Sequence, residues 1–228
     1  MNHHHQKAAQ RNLSYQLAES IGRQILAGQI APGAILPGEM ELGEMYGVSR
    51  TAVREAVKML AAKGMLLPRP RIGTRVMPRR NWNFLDQDLL TWWAEQDDKQ
   101  KLVDDFQLLR IMLEPKAAAM AAQYASPEDR HQLSLLMGEM RALDECFDKD
   151  RWIEVDTQFH QMIYFASGNP FLTPFGNLFK AVFQVYFRTV TRDSVVKLER
   201  HQAIIDAILR SDPDAASAAV TALIEHDE

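Results

Sequence analysis

The run Tyr46-Gly47-Val48-Ser49-Arg50-Thr51-Ala52-Val53-Arg54-Glu55-Ala56 decides the reading of the fold. Gly47 permits a tight turn with positive φ. Val48 can plug a core beneath that turn. Ser49 is a suitable N-cap for a helix from Arg50 to about Lys63, and Gly64 ends that helix at its C′ position. Val53, Ala56, Val57 and Leu60 share one face of the helix. Arg50, Thr51 and Arg54 occupy its N-terminal end and the opposite face. Upstream, Glu39 to Tyr46 reads as a short helix with Leu42 and Met45 inward. Two short helices joined by such a turn make a helix-turn-helix, and the start of the second helix is where base edges and phosphates are met in a major groove. An arginine there can contact guanine with two hydrogen bonds, worth about 1–3 kcal/mol of discrimination.

Outward from this core the pattern continues. Leu13, Leu17, Ile21, Ile25 and Leu26 form one stripe of a preceding amphipathic helix. It stops at Gly28, and Ile30-Ala31-Pro32-Gly33 is turn chemistry. Downstream, Met65-Leu66-Leu67 and Thr74-Arg75-Val76 read as two short strands around Pro68-Arg69-Pro70-Arg71-Ile72-Gly73. This is a basic hairpin wing, and Gly73 would let its tip approach a sugar-phosphate backbone.

Charge divides the chain at the same place. Residues 1–80 hold 12 Lys+Arg against 5 Asp+Glu, a net of +7, and residues 81–228 hold 14 against 25, a net of −11. A basic third beside an acidic remainder points to two domains with different partners, the basic one suited to a polyanion. The length of 228 residues suits two modest domains. With 46% hydrophobic and 25% charged residues, disorder and disulfide-rich miniature folds are excluded.

The first residues, Met1-Asn2-His3-His4-His5-Gln6-Lys7, lack the apolar core of an export signal. Thr157–Phe179, the longest stretch free of Asp, Glu, Lys and Arg, still carries His160, Gly168, Asn169 and two prolines, which argues against a bilayer span. The expected compartment is the cytoplasm, with no membrane partner. Cys146 is the one cysteine, so any metal must be held by His and carboxylate ligands.

The acidic remainder reads as helices with loop punctuation, over roughly Lys101–Tyr124, Pro127–Phe147, Arg151–Ala166, Pro170–Thr191, Val195–Arg210 and Pro213–His226. Ser126-Pro127, Asn169-Pro170 and Asp212-Pro213 each look like a cap followed by proline at the first helical position. Pro115 could kink or divide the first helix. The expected fold is mostly α: a winged helix-turn-helix at 11–78, a linker with a short helix at 79–95, and an antiparallel helical bundle at 96–228. The short helix, Leu85 to Ala94, carries Trp92 and Trp93, expected to pack between the domains.

In the bundle, Asp156 and His160 stand four residues apart on one helix face. That pair suits a divalent metal, or a simple helix hydrogen bond. Phe159, Met162, Ile163 and Phe165 make the helix apolar, so the pair is expected to point inward. A buried unpaired Asp is costly, and a metal would be one remedy. Arg110 could clamp a carboxylate from inside the bundle or pair with Glu114, one turn on.

These stretches also carry a resemblance. Ile25 to Gly33, Leu36 to Leu42 and Tyr46 to Ala56 are similar to the GntR family of bacterial transcription regulators. Asp156-Thr157-Gln158-Phe159-His160-Gln161-Met162-Ile163, Ala166 to Leu172, and Glu199 to Ile208 resemble the FCD ligand domain that defines its FadR subfamily. The resemblance implies a homodimer on a palindromic operator, with double-stranded DNA touched by Ser49, Arg50, Thr51, Arg54 and the wing at Arg71 and Gly73. Met40 departs from the arginine that many members carry there. For the second domain it implies a divalent metal, often zinc, held by Asp156, His160 and His201. The fourth ligand position, 22 residues after His201, is Leu223 here. His226 lies one turn beyond and could serve only if the helix shifts. Arg110, Arg188 and Thr189 match effector-binding positions, and Asn81 to Asp86 is similar to the branch of galactonate- and hexuronate-responsive repressors. The expectation is a repressor, not an enzyme, released by a small carboxylate. A metal-dependent hydrolase fused to a DNA-binding module and a regulator of an apolar or acyl ligand are the alternatives.

Overall fold

The computed structural model describes residues 2–96, 100–190 and 197–224, with side chains over 13–96, 101–183 and 197–224. The chain divides into two compact units, residues 1–97 and 98–228.

The first unit contains α1 (Asn2–Leu26), α2 (Glu39–Tyr46), α3 (Arg50–Ala62), β1 (Leu66–Arg69), β2 (Gly73–Val76), a 3-10 turn at Arg79–Asn81 and α4 (Gln87–Ala94). It is a winged helix-turn-helix. Its local signals act as their chemistry dictates. Gly47 caps α2 with φ 65°. The Ser49 hydroxyl accepts the Ala52 N–H at 3.2 Å and starts α3. Gly64, at φ 73°, closes α3 with a Schellman pair, Gly64 N–H to Ala61 O and Met65 N–H to Leu60 O. The strands pair antiparallel, Leu66 opposite Val76 and Arg69 opposite Gly73. Leu17, Ile21 and Ile25 of α1 pack with Leu42, Val53, Leu60, Met65 and Val76 in one apolar core.

Some expectations are corrected. Met45 is 62% exposed, so of the expected pair Leu42 alone turns inward from α2, and Leu13 also lies on the surface. An eight-residue helix has too few turns to fix its apolar stripe from sequence. The segment 79–95 joins the first unit's own core. Trp82, Leu89 and Trp92 belong to the same apolar cluster, and Trp93 packs at a tilt against Phe84 with Arg79 over its ring. Trp92 and Trp93 therefore find these partners within the first unit, which corrects the expected seat. Gly22 explains why: a Cβ there would lie 2.7 Å from the Trp92 ring, so its bare backbone makes the slot the indole fills. Lys63, at the end of α3, adds ion pairs to Asp86 and Asp88, both at 2.7 Å.

The second unit contains α5 (Gln100–Tyr124), α6 (Pro127–Glu145), α7 (Lys149–Ala166), α8 (Thr173–Val190), α9 (Leu198–Leu209) and α10 (Pro213–Ile224). It is an all-helical bundle, with no strand among the described residues. α5 runs through Pro115 as a single helix. Ser126 forms a capping box with Asp129 at the start of α6, and Asp212 accepts the Ala215 N–H at α10. Asn169-Pro170 is a correction: the Asn169 amide oxygen accepts the Phe171 N–H in a local turn, and α8 begins only at Thr173. Among the described residues, no helix is long and apolar enough to cross a membrane.

Candidate functional site

The bundle carries a charged cluster at its centre. α7 supplies Asp156 and His160 on its buried face, α9 supplies His201, and α5 supplies Arg110 and Glu114. All five are buried in a wall of Trp152, Phe159, Phe179 and Phe183. One ligand atom from each of Asp156, His160 and His201 falls within 4.8 Å of the others.

The hydrogen bonds around the cluster orient both imidazoles. His160 Nδ1 is held by Glu114 Oε1, and His201 Nδ1 lies 3.0 Å from the Lys197 carbonyl oxygen. Each ring therefore donates from Nδ1 and turns Nε2 toward Asp156. An outer carboxylate or carbonyl fixing the tautomer in this way is the usual support of a metal-binding histidine. Asp156 Oδ1 is 2.8 Å from His201 Nε2 and 3.5 Å from His160 Nε2. The angles do not satisfy a hydrogen bond, and both Asp156 oxygens and His201 Nε2 are buried without one. Three ligand atoms converging on one point, those of Asp156 and His201 with no hydrogen bond of their own, fit a divalent cation.

Electrostatics agree with that geometry. Burial opposes the charge on Asp156, but His201 and then His160 outweigh it and hold the carboxyl well below the usual range. Burial likewise opposes ionised Glu114, and Arg110 and His160 overcome it. For His160, burial disfavours the imidazolium, but Glu114 raises its affinity for a proton against the opposition of Arg110. A proton and a cation thus compete for the same Nε2.

Arg110 takes the pairing with Glu114 and adds aromatic contacts. Its Nε donates to Glu114 Oε2 at 2.8 Å, its guanidinium lies over Phe183 and Phe179 at 5.0 and 5.4 Å, and its Nη2 approaches His160 Nε2 at 3.3 Å. Glu114 is the site residue that sequence reasoning left outside the site. The signal available for it was the need of a ligand histidine for an acceptor at Nδ1. Leu223, at the fourth position, is a buried aliphatic side chain of α10. His226 and the side chains of Arg188 and Thr189 lie outside the described residues.

On the first unit, Arg50, Thr51 and Arg54 are exposed at the start of α3. Arg54 is 3.7 Å from Glu39 in a solvent-exposed ion pair. Arg71, at φ 64°, and Gly73, at φ 104°, shape the wing tip. A Cβ on Gly73 would meet Ile35 at 2.8 Å. Between wing and helices lies a cleft of about 680 Å³ edged by Arg54, Lys58, Arg69 and Arg71.

The sequence matches two family models, "Bacterial regulatory proteins, gntR family" over residues 13–76 and "FCD domain" over residues 105–226. The chain belongs to the GntR family, with an FCD domain. This GntR regulator is 58% identical over 219 residues to the HTH-type transcriptional regulator YieP of Escherichia coli K12, covering 96% of this chain and 95% of that one. It is 32% identical over 217 residues to the galactonate operon transcriptional repressor of the same organism, covering 93% and 94%. Among solved structures it is similar to Streptococcus agalactiae GntR, with a TM-score of 0.53, 27% identity and coverage of 92% and 96%. GntR regulators bind operator DNA. The chain is a transcription regulator and not an enzyme, so the hydrolase alternative falls away.

Proposed function

We propose that this regulator represses an operon of sugar-acid catabolism and leaves its operator when a small carboxylate binds the bundle. The observation that carries the reading is the convergence of Asp156, His160 and His201 beside a buried arginine, with the Asp156 oxygens and His201 Nε2 left without a hydrogen bond. These three residues would hold a divalent metal, zinc suiting the nitrogen-rich set. A bound metal supplies positive charge and open coordination positions for an anion. Arg110 supplies a second, directional contact from α5. The 32% identity to a galactonate operon repressor points to a sugar acid, with Arg188 and Thr189 near the hydroxyl groups.

On the operator side, two copies would present α3 to successive major grooves. Arg50, Thr51, Arg54 and Ser49 would read bases and phosphates, and the wing would set Arg71 and Gly73 against the backbone. By linkage, the carboxylate must bind the operator-free state better than the bound one. Leu223 and the phenylalanines beside His160 favour one other reading, an apolar effector taken without a metal.

The deciding experiment is a thermal-shift screen of zinc-loaded and chelator-stripped protein against sugar acids and fatty acids, followed by a gel shift on its own promoter. The expected result is stabilisation by a sugar acid only when zinc is present, lost in Arg110→Ala, with release of DNA by the same compound. Stabilisation by a fatty acid in stripped protein would replace this reading with the second one.

A further inference from the structure

We propose that the indole N–H of Trp152 binds the effector, donating a hydrogen bond to an oxygen of its carboxylate. Trp152, Asp156 and His160 follow one another at four-residue intervals on α7, which places them on one stripe of the helix. The Trp152 side chain is fully buried, and its Nε1 has no hydrogen-bond partner among the described residues. The chain meets this need elsewhere: Trp82 Nε1 donates to the Met77 carbonyl oxygen at 2.9 Å. A buried indole N–H usually finds such an acceptor, because leaving it dry and unmet is costly.

The place of the unmet donor tells what would meet it. Among the described residues, the buried side-chain polar atoms without a hydrogen bond are Trp152 Nε1, both Asp156 carboxylate oxygens and His201 Nε2. They belong to one locus. His201 Nε2 is 2.8 Å from Asp156 Oδ1, and the His201 and Trp152 rings meet edge to face with centroids 6.1 Å apart. The Asp156 oxygens and His201 Nε2 offer lone pairs, and a divalent cation answers them all. An indole N–H is a donor only and cannot ligate a cation. A metal would therefore satisfy Asp156 and His201 and leave Trp152 unanswered. What remains is the need for an acceptor beside a cation, and an anionic oxygen meets both conditions. Arg110 reaches the cluster at His160, with Nη2 3.3 Å from Nε2, whereas Trp152 reaches it at His201. Trp152 thus adds a contact that Arg110 does not duplicate.

This role rests on the reading of the cluster as a carboxylate site, and the test separates the two. The full chain, loaded with zinc, is titrated with acetate, gluconate and galactonate, and with galactitol as the uncharged control. Calorimetry measures binding. Nuclear magnetic resonance follows the indole N–H signals, assigned by replacing the tryptophans one at a time. The Trp152 signal should move downfield on adding a carboxylate and not on adding galactitol. Trp152→3-benzothienylalanine keeps the bicyclic ring and puts sulfur in place of the N–H. It should weaken carboxylate binding about tenfold or more, the loss of one hydrogen bond to a charged group. The melting temperature of the carboxylate-free protein should change little, whereas a merely structural role would lower it. If that variant does not fold, the wild-type signal decides alone. A signal that zinc alone brings downfield and no carboxylate moves further overturns the contact, the N–H then serving solvent. A carboxylate that binds both proteins alike overturns the contact and leaves the carboxylate reading standing. Zinc-loaded wild type that binds none of the three carboxylates overturns both.

Discussion

The first unit buries Leu17, Ile21, Val53, Leu60, Met65 and Trp92 and leaves Arg50, Arg54 and Arg71 in solvent. The second buries Arg110, Glu114, Asp156, His160 and His201 within its bundle. One is a rigid apolar support for charges it presents outward. The other spends packing to keep charges away from water, where each is costly unless met by a partner. Function and stability should therefore separate cleanly in the first unit and be entangled in the second.

The largest effect tests that entanglement. Glu114→Ala removes the carboxylate that both Arg110 and His160 depend on. Breaking one partner out of a buried charged set costs about 3–5 kcal/mol, so denaturant unfolding should show the second unit melting far earlier. Glu114→Gln, which keeps a hydrogen-bond acceptor, should cost less. The pH dependence follows from the same contacts in metal-free protein. Glu114 and Asp156 are held below their ordinary range, so their contribution is present above about pH 4 and is lost as pH falls through their lowered values. His160 is raised, so its contribution is complete below its ordinary value and is lost as pH rises through the raised one. Metal-free Glu114→Gln should therefore show a flatter acid limb than wild type. Equal stability of Glu114→Ala and wild type would show that the buried charges are not coupled.

Arg54→Ala should behave in the opposite manner. Its side chain is 65% exposed, and its ion pair with Glu39 is long. Stability should change by no more than about 0.5 kcal/mol. Operator affinity should fall by about 1–3 kcal/mol if Arg54 reads a base, measured by fluorescence anisotropy at fixed salt. A loss of stability as large as the loss of affinity would blur the separation.

How much of each unit could be read from sequence follows the same division. The helix-turn-helix was legible because its determinants are local. Gly47, Ser49 and Gly64 each act within a few residues, and Val53, Ala56, Val57 and Leu60 show the helical period without help. What failed there was tertiary. The seat of Trp92 depends on a gap at Gly22, seventy residues earlier, and no local pattern announces it. In the second unit Asp156 and His160 were legible as a pair one turn apart. His201 is 41 residues further on another helix, and only the family resemblance joined it to them. Glu114 was visible as the neighbour of Arg110, but its grip on His160 spans two helices. Asn169-Pro170 shows the limit of a local rule. Its signature matches that of Ser126-Pro127, yet the Asn169 side chain is spent on Phe171 and the helix starts later.

The Gly22 slot gives a test of intermediate size. Alanine improves helix propensity by up to about 1 kcal/mol over glycine. Here its Cβ would sit 2.7 Å from the Trp92 ring and 3.3 Å from Leu60, and overpacking of that kind costs about 1–3 kcal/mol. Gly22→Ala should therefore lower the melting temperature of the first unit, with a change in the emission of the displaced tryptophan. A rise in stability would mean that α4 does not depend on this slot.

Ser49→Ala is the finest probe, because the observed cap and the proposed operator contact fall on one hydroxyl. It caps α3 by accepting the Ala52 N–H, and a hydroxyl is also able to donate to a phosphate. Loss of the cap alone should cost about 1 kcal/mol of stability. Aspartate is an equally good cap but brings a negative charge to the operator. Ser49→Asp should thus restore the stability lost in Ser49→Ala while binding the operator more weakly than either protein. That pattern would show that even at the boundary of the first unit, folding and recognition are separable contributions of a single side chain. If Ser49→Asp recovered both stability and affinity, Ser49 would be a cap and nothing more, and recognition would fall to Arg50, Thr51 and Arg54.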